Sequence, residues 1–239
     1  KGMTTLLFSE RPVLRAVFGM AGAAAQGEVS GDAVQQFCSP TAAQMILCDG
    51  MGTGSGAQSD AQEAISVLQS LLTLGFDAMD AAAMLNELYV LRGDGCFSTV
   101  DLLEMDLCTG EGALYKWGAA PSYLKKGGTV KKIGTASPPP GLGVGEEHRA
   151  ERVGLSLQRG EQLVLTTDGI PEAACEQYLR ACGPLSPREL AAGVVACASE
   201  SEPDDRTAVI VQLDPASMQP HHTTRRARSM SKTGAEPHI

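Results

Sequence analysis

Apolar runs in this chain stop at acidic clusters four times: Ser30-Gly31-Asp32, Asp49-Gly50-Met51-Gly52, Asp168-Gly169 and Asp204-Asp205. A strand that ends in Asp-Gly carries its carboxylate on rigid backbone, while the glycine lets main chain or ligand come close. Such ends, far apart in sequence, serve one chemistry only if folding gathers them at one edge. Gathered, they form a cage for hard cations. Mg2+ and Mn2+ prefer oxygen donors and keep several waters, so one or two carboxylates per ion, from different strands, are the expected inventory. A single Asp-Gly marks an ordinary turn more often than a ligand. The weight lies in the combination.

The runs between these ends read as short strands and paired helices. Residues 13–19 read as a strand, followed by a small-residue loop and by strands at 33–37 and 44–48, the last ending at Asp49. Ala61, Ala64, Ile65, Leu68, Leu71 and Leu72 recur at helical spacing over 57–74, closed by Gly75. Asp77 caps a second helix that carries Met84, Leu85, Leu88 and Leu91 and ends at Gly93. Residues 96–133 read as one antiparallel meander with tight hairpins. A Pro/Gly loop over 137–145 interrupts it before strands at 153–157 and 162–167. A helix over 171–182 follows, and Ser186-Pro187-Arg188-Glu189 combines a capping box with proline at the first helical position. A last strand covers 208–213. Antiparallel strand sets with helices in separate pairs predict an α+β layered fold, not a doubly wound βαβ one.

Composition narrows the function classes. Residues 1–214 read as one domain and 215–239 as a disordered tail with Arg225, Arg226, Arg228 and Lys232 against Glu236 alone. The tail's net +3 leaves −12 on the body, out of −9 for the chain. An acidic body argues against nucleic acid as partner, since phosphate backbones need a basic surface. The seven cysteines contain no Cys-x-x-Cys pair, are odd in number and sit mostly in apolar runs. That reads as free thiols in a reducing compartment. No stretch approaches the ~20 apolar residues of a membrane-spanning helix. The chain starts at Lys1, without methionine, so an excised piece of a longer protein is expected.

Histidine is scarce: His148 is the only one outside the tail, which leaves no basis for a Ser-His-Asp triad or a His-ligated zinc. The glycines at 50, 52, 54 and 56 are not followed by Lys-Ser or Lys-Thr, so a nucleotide phosphate loop fails. Asp94, between a helix end and a strand start, reads as a turn residue. Thr99 and Asp101 read as structural or supporting groups. Lys116 has two readings, a positive charge offered to phosphate or a solvated strand lysine. Cys175 and Cys182, seven apart, face the core from one helix.

The segment VSGDAVQQFCSPTAAQMILCDGMGTGSG at 29–56 resembles the metal-binding core of the PP2C-type serine/threonine protein phosphatases, and most closely their stage II sporulation protein E branch. FSTVDLLEMDLCTG (97–110), KWGAAPSYL (116–124), LTTDG (165–169) and DDRTAVIV (204–211) agree with that family in order. The resemblance implies two stacked antiparallel sheets flanked by pairs of helices, and a centre of Mn2+ or Mg2+, two ions roughly 3.5–4 Å apart that activate water and neutralise phosphoryl charge. It implies Asp49 as bridging ligand, the Gly50 carbonyl beside it, and Asp32, Asp168 and one of Asp204 or Asp205 completing the shells. Asp49 and Asp168 are the catalytic pair. Met51 stands where many PP2C enzymes carry a histidine, as is usual in the sporulation branch, and no phosphate-gripping arginine precedes Ser30. Catalysis then leans on metal and water, with docking of a particular phosphoprotein supplying the positioning.

By the same resemblance the substrate is a phosphorylated anti-anti-sigma factor, and the parent is a membrane-anchored protein with this domain in the cytoplasm. A homo-oligomer is compatible with the reading. A catalytically weak regulatory binding module of the same fold is the alternative. The helical hairpin over 57–91, directly after the Asp49 loop, is the place expected to carry regulation, against plain packing on the sheet.

Overall fold

The computed structural model describes residues 11–216 apart from 26, 28, 94, 96, 135, 136, 144, 146–148 and 199–203. Asp94, His148 and the tail beyond Ala216 lie outside the described residues. Ten strands and four helices follow one another as β1 (Leu14–Ala23), β2 (Asp32–Cys38), β3 (Ala42–Gly50), α1 (Gly54–Thr73), α2 (Ala78–Arg92), β4 (Ser98–Asp106), β5 (Glu111–Trp117), β6 (Ser122–Lys126), β7 (Thr129–Ile133), β8 (Glu151–Ser156), β9 (Glu161–Thr166), α3 (Glu172–Ala181), α4 (Pro187–Ala196) and β10 (Arg206–Pro215). They form two five-stranded sheets, ordered β1-β10-β9-β6-β7 and β2-β3-β4-β5-β8. Neighbouring strands are antiparallel throughout. The fold is α+β, as the sequence predicts.

Three apolar layers hold the stack together, and strand periodicity assigns each side chain to one of them. On β4, Val100 and Leu102 face α1 and α2, where Ala61, Ala64, Leu68, Ala81 and Leu85 wait. Leu103 and Met105 face the other sheet and meet Leu163, Val209 and Val211 there. On β10 the alternate residues Ala208 and Ile210 pack under Leu179, Leu190 and Val194 of α3 and α4. Both faces of each central strand are covered, which is why 208–211 reads as an unbroken apolar run.

Capping follows the sequence. Asp77 accepts a hydrogen bond from the Asp80 N–H at 2.9 Å, and Gly93 ends α2 in the left-handed region at φ 62°. Ser186 and Glu189 make the reciprocal capping box with Pro187 at the helix start. α1 begins at Gly54, three residues before the periodic pattern, because Ala57 must seat on Gly50 and tertiary packing outweighs the poor helix propensity of glycine.

Two expectations change. The small-residue stretch after Gly19 is not a loop: β1 runs on to Ala23 and pairs with β10 down to Arg206. Small residues are needed there because α4 lies directly on the strand. The meander over 96–133 is also two hairpins in different sheets, β4–β5 in one and β6–β7 in the other. Gly118, with φ 63°, and Pro121, which has no N–H for a ladder, break the chain between them and send it across. No helix among the described residues is long and apolar enough to cross a membrane.

A Cβ on Gly19 would lie 2.0 Å from the Pro187 carbonyl carbon, a backbone atom with nowhere to move. Gly19→Ala is therefore expected to cost about 2–4 kcal/mol, measured as a lowered urea midpoint at unchanged slope. Gly154→Ala, where nothing lies within 4 Å, serves as the control and stays within about 0.5 kcal/mol.

Candidate metal centre

The site forms where the apolar layer between the sheets ends. In one sheet Asp32 stands opposite Asp49 across β2 and β3, and Asp49 opposite Thr99 across β3 and β4. These three make one cross-strand row, on the same face as Leu47 of the inter-sheet core. From the other sheet β9 delivers Thr167 and Asp168 just past its end. Thr167 Oγ1 donates to Asp32 Oδ2 at 3.0 Å, and the charges of Asp32 and Asp168 both act on the Asp49 carboxyl. Asp49, Gly50, Thr99, Asp168 and Asp204 line a cleft of about 250 Å³. Residues at 32, 49, 168 and 204 thus meet although more than 170 positions of sequence separate the first from the last.

The glycines of the acidic pairs owe their place to close packing. A Cβ on Gly50 would lie 2.0 Å from the Ala57 carbonyl oxygen, and one on Gly169 would lie 2.1 Å from that of Asp205. Gly31 is wedged between the Ala57 methyl and Asp205. None of the three has positive φ. They let the first turn of α1, the β2 approach and the β10 approach converge on one point.

Asp204 and Asp205 separate cleanly. Asp205 is buried, and its two oxygens accept from the Gly31 N–H at 2.6 Å and the Ala25 N–H at 2.7 Å. It anchors the β1–β2 loop. Asp204 lines the cleft. Sequence reasoning missed Thr167 and Thr207: the Thr207 N–H donates to Thr167 Oγ1 at 2.9 Å, which holds that hydroxyl toward Asp32. Thr167 was legible only as the residue before Asp168. Both readings of Lys116 are overturned, since its side chain is fully buried and its ammonium sits 2.5 Å from Asp101.

Crowding like charges in a half-buried place shifts their titration. Burial, followed by the charges of Asp32 and Asp168, raises Asp49 to about 9. Burial is also the largest cause for Asp32, raised to about 6 against hydrogen bonds from Thr207 and Thr167. Asp32 Oδ1 is buried without a hydrogen-bond partner. Three adjoining carboxyls with an unmatched buried oxygen require a proton or a cation, and all-oxygen donors select a hard divalent one. Among the described residues no three acidic, histidine or cysteine side chains already surround a single point. A larger groove of about 820 Å³ lies at the far end of β4. There Glu104 accepts from Gln44, and Asp106 from the Cys108 and Thr109 N–H groups, so it offers no such cluster.

Residues 39–214 match the model of the family described as Stage II sporulation protein E (SpoIIE). The chain belongs to the SpoIIE family. It is 29% identical over 229 residues to the stage II sporulation protein E of Bacillus subtilis (strain 168), covering 89% of this chain and 27% of that protein. The chain spans about a quarter of the length of the curated relatives it matches. Its fold superposes on the PP2C phosphatase domain and regulatory-domain fragment of SpoIIE from Bacillus subtilis with TM-score 0.76 and 29% identity, over 86% of this chain and 66% of that one. RsbX, solved in complex with magnesium, matches with TM-score 0.64 over 86% of this chain and 98% of that one; at 13% identity this is likeness of fold alone. This SpoIIE-family chain therefore has the fold of a PP2C phosphatase domain.

Without metal, the raised Asp49 and Asp32 hold protons that the unfolded chain, titrating near 3.9, has released. Their contribution to stability is complete below about pH 4 and is lost as pH rises through about 6 and about 9. Asp49→Asn removes the larger part. In chelator its melting temperature should match wild type near pH 4 and exceed it by several degrees at pH 8, on the order of 1–3 kcal/mol. Equal melting curves at pH 8 would contradict the crowded-carboxyl geometry.

Proposed function

We propose that this domain is a Mn2+- or Mg2+-dependent protein phosphatase that uses two ions to hydrolyse phosphoserine or phosphothreonine in a protein. Residues 1–214 are the catalytic domain and 215–239 a tail. The observation that carries the reading is the meeting of the Asp32, Asp49 and Asp168 carboxyls, from two different sheets, at a cleft that Asp204 also lines. Asp49 and Asp168 would hold the ions between the sheets, with Asp32, Asp204 and the Gly50 carbonyl completing the shells. We assign Asp205 to loop anchoring, because both of its oxygens are already engaged by backbone N–H groups. When bound, divalent cations acidify water and neutralise charge on phosphoryl oxygens.

The remaining work falls to the chain. Thr167 fixes one oxygen of Asp32 and leaves the other buried without a partner. Gly50, closed under Ala57, fixes the main chain that follows Asp49. The net reaction is water plus phosphomonoester giving alcohol and inorganic phosphate. No histidine is among the described residues of the cleft, and Met51 occupies the place beside Gly50. The leaving oxygen then draws its proton from solvent, which favours a slow enzyme positioned by protein docking.

The family supports a phosphorylated anti-anti-sigma factor as substrate, in sigma-factor activation during sporulation. The relatives are longer than this chain, so the domain is read as part of a larger protein; the resemblance to the sporulation branch carries the further reading of a membrane-anchored parent with this domain in the cytoplasm.

The test is Mn2+ titration of phosphate release from phosphoserine and phosphothreonine anti-anti-sigma proteins. Asp49→Ala and Asp168→Ala are expected to lower turnover at least about 10³-fold with the fold retained. Asp204→Asn should weaken Mn2+ affinity about 10–100-fold at unchanged melting temperature, whereas Asp205→Asn should lower the melting temperature. Full turnover in excess chelator overturns the proposal.

A further inference from the structure

Directly behind the carboxyl row lies a second row on the same face, two of whose three members are charged. Leu47, Asp101 and Lys116 stand opposite one another across β3, β4 and β5, two residues back from Asp49 and Thr99. At about 3.4 Å per residue that is roughly 7 Å. Lys116 and Asp101 are 0% and 1% exposed, yet Lys116 Nζ donates both to Asp101 Oδ1 at 2.5 Å and to Ser122 Oγ at 2.9 Å. Ser122 belongs to β6, in the opposite sheet. The side chain therefore crosses the inter-sheet space, and its stem passes where Gly134 has no Cβ: one built there would lie 2.3 Å from Lys116 Cδ.

Buried ion pairs contribute little to stability when compared with apolar residues of the same size, because desolvation offsets their attraction. This one is also incompletely satisfied, since Asp101 Oδ2 has no partner. Its position suggests a different use. Asp49 belongs to one sheet and Asp168 follows β9 of the other, so the spacing of their carboxyls is the spacing of the sheets. An apolar layer resists separation, and its interdigitated side chains resist sliding by their shape, but hydrophobic attraction itself has no direction. A charged, directional contact does. On the far side the link continues: Ser122 starts β6, β6 pairs with β9, and Thr166 of β9 donates through its hydroxyl to the Pro121 carbonyl at 3.4 Å.

We infer that Lys116, with Asp101 and Ser122, is a positioning group that fixes the register of the two sheets behind the carboxyl cleft. It touches neither metal nor substrate. The inference rests on the metal-centre reading above, and it predicts a defect in metal affinity and turnover without loss of the fold.

The test pairs Asp101→Leu/Lys116→Met, which replaces the ion pair by apolar groups of similar size, with Ser122→Ala, which cuts only the contact between sheets. Mn2+ binding is followed by calorimetry, and kcat and KM are measured on a phosphoserine protein at saturating Mn2+. The double variant should unfold cooperatively near the wild-type temperature, bind Mn2+ about 10–100-fold more weakly and lose kcat by a similar factor, with KM unchanged. A purely structural pair would move the melting temperature and leave the Mn2+ affinity of the folded protein alone. Wild-type affinity and kcat in the folded double variant overturn the inference. Should that variant not fold, wild-type values in Ser122→Ala overturn it equally. Asp49→Ala is the reference: if it binds Mn2+ like wild type, the metal-centre reading itself fails, a result distinct from failure of the positioning role.

Discussion

The apolar layer between the sheets is the interaction on which the rest depends. Leu47, Leu103, Met105, Leu163, Val209 and Val211 press the two sheets face to face, and at about 25 cal/mol per Å² of buried apolar surface such a layer is the main source of stability. Where it gives way to Asp32, Asp49 and Thr99 on one side and Thr167 and Asp168 on the other, the same proximity crowds negative charge. The site is a place where the fold tolerates repulsion that the neighbouring hydrocarbon outweighs.

That conflict explains the chemistry of the surroundings. Hydroxyls rather than cations contact Asp32, and the buried ammonium nearby is committed to Asp101. Neutralisation is left to the solvent side, where a divalent ion can reach the cleft. On the proposed reading the arrangement trades stability for a binding site, as functional centres commonly do.

Much of this was legible in the letters. The capping box at Ser186, the left-handed Gly93 and the helical spacing over Ala61, Ala64 and Leu68 are local signals, and local signals survive folding. The Asp-Gly pairs were legible as strand ends because an apolar run and its stop are adjacent in sequence. What stayed hidden is what depends on a distant partner. The β1 extension through Gly22 and Ala23 follows from pairing with Thr207 and Arg206 of β10, and the passage from β5 to β6 changes sheet where a hairpin series predicts continuation. Lys116 had two readings, a charge offered to phosphate or a solvated lysine, because Ser122, though only six residues on, is placed opposite it by the change of sheet between β5 and β6. Asp204 and Asp205 are chemically identical letters, divided only by which one meets the Gly31 amide.

That last contact has a consequence for how the molecule comes into being. Gly31 and Asp205 are 174 positions apart, and β10 is inserted between β1 and β9 in its sheet. A ribosome releases the N-terminal carboxylates long before the strand that braces their loop exists. The cleft that those carboxylates line cannot close until β10 has been made, and pairings so distant in sequence form slowly.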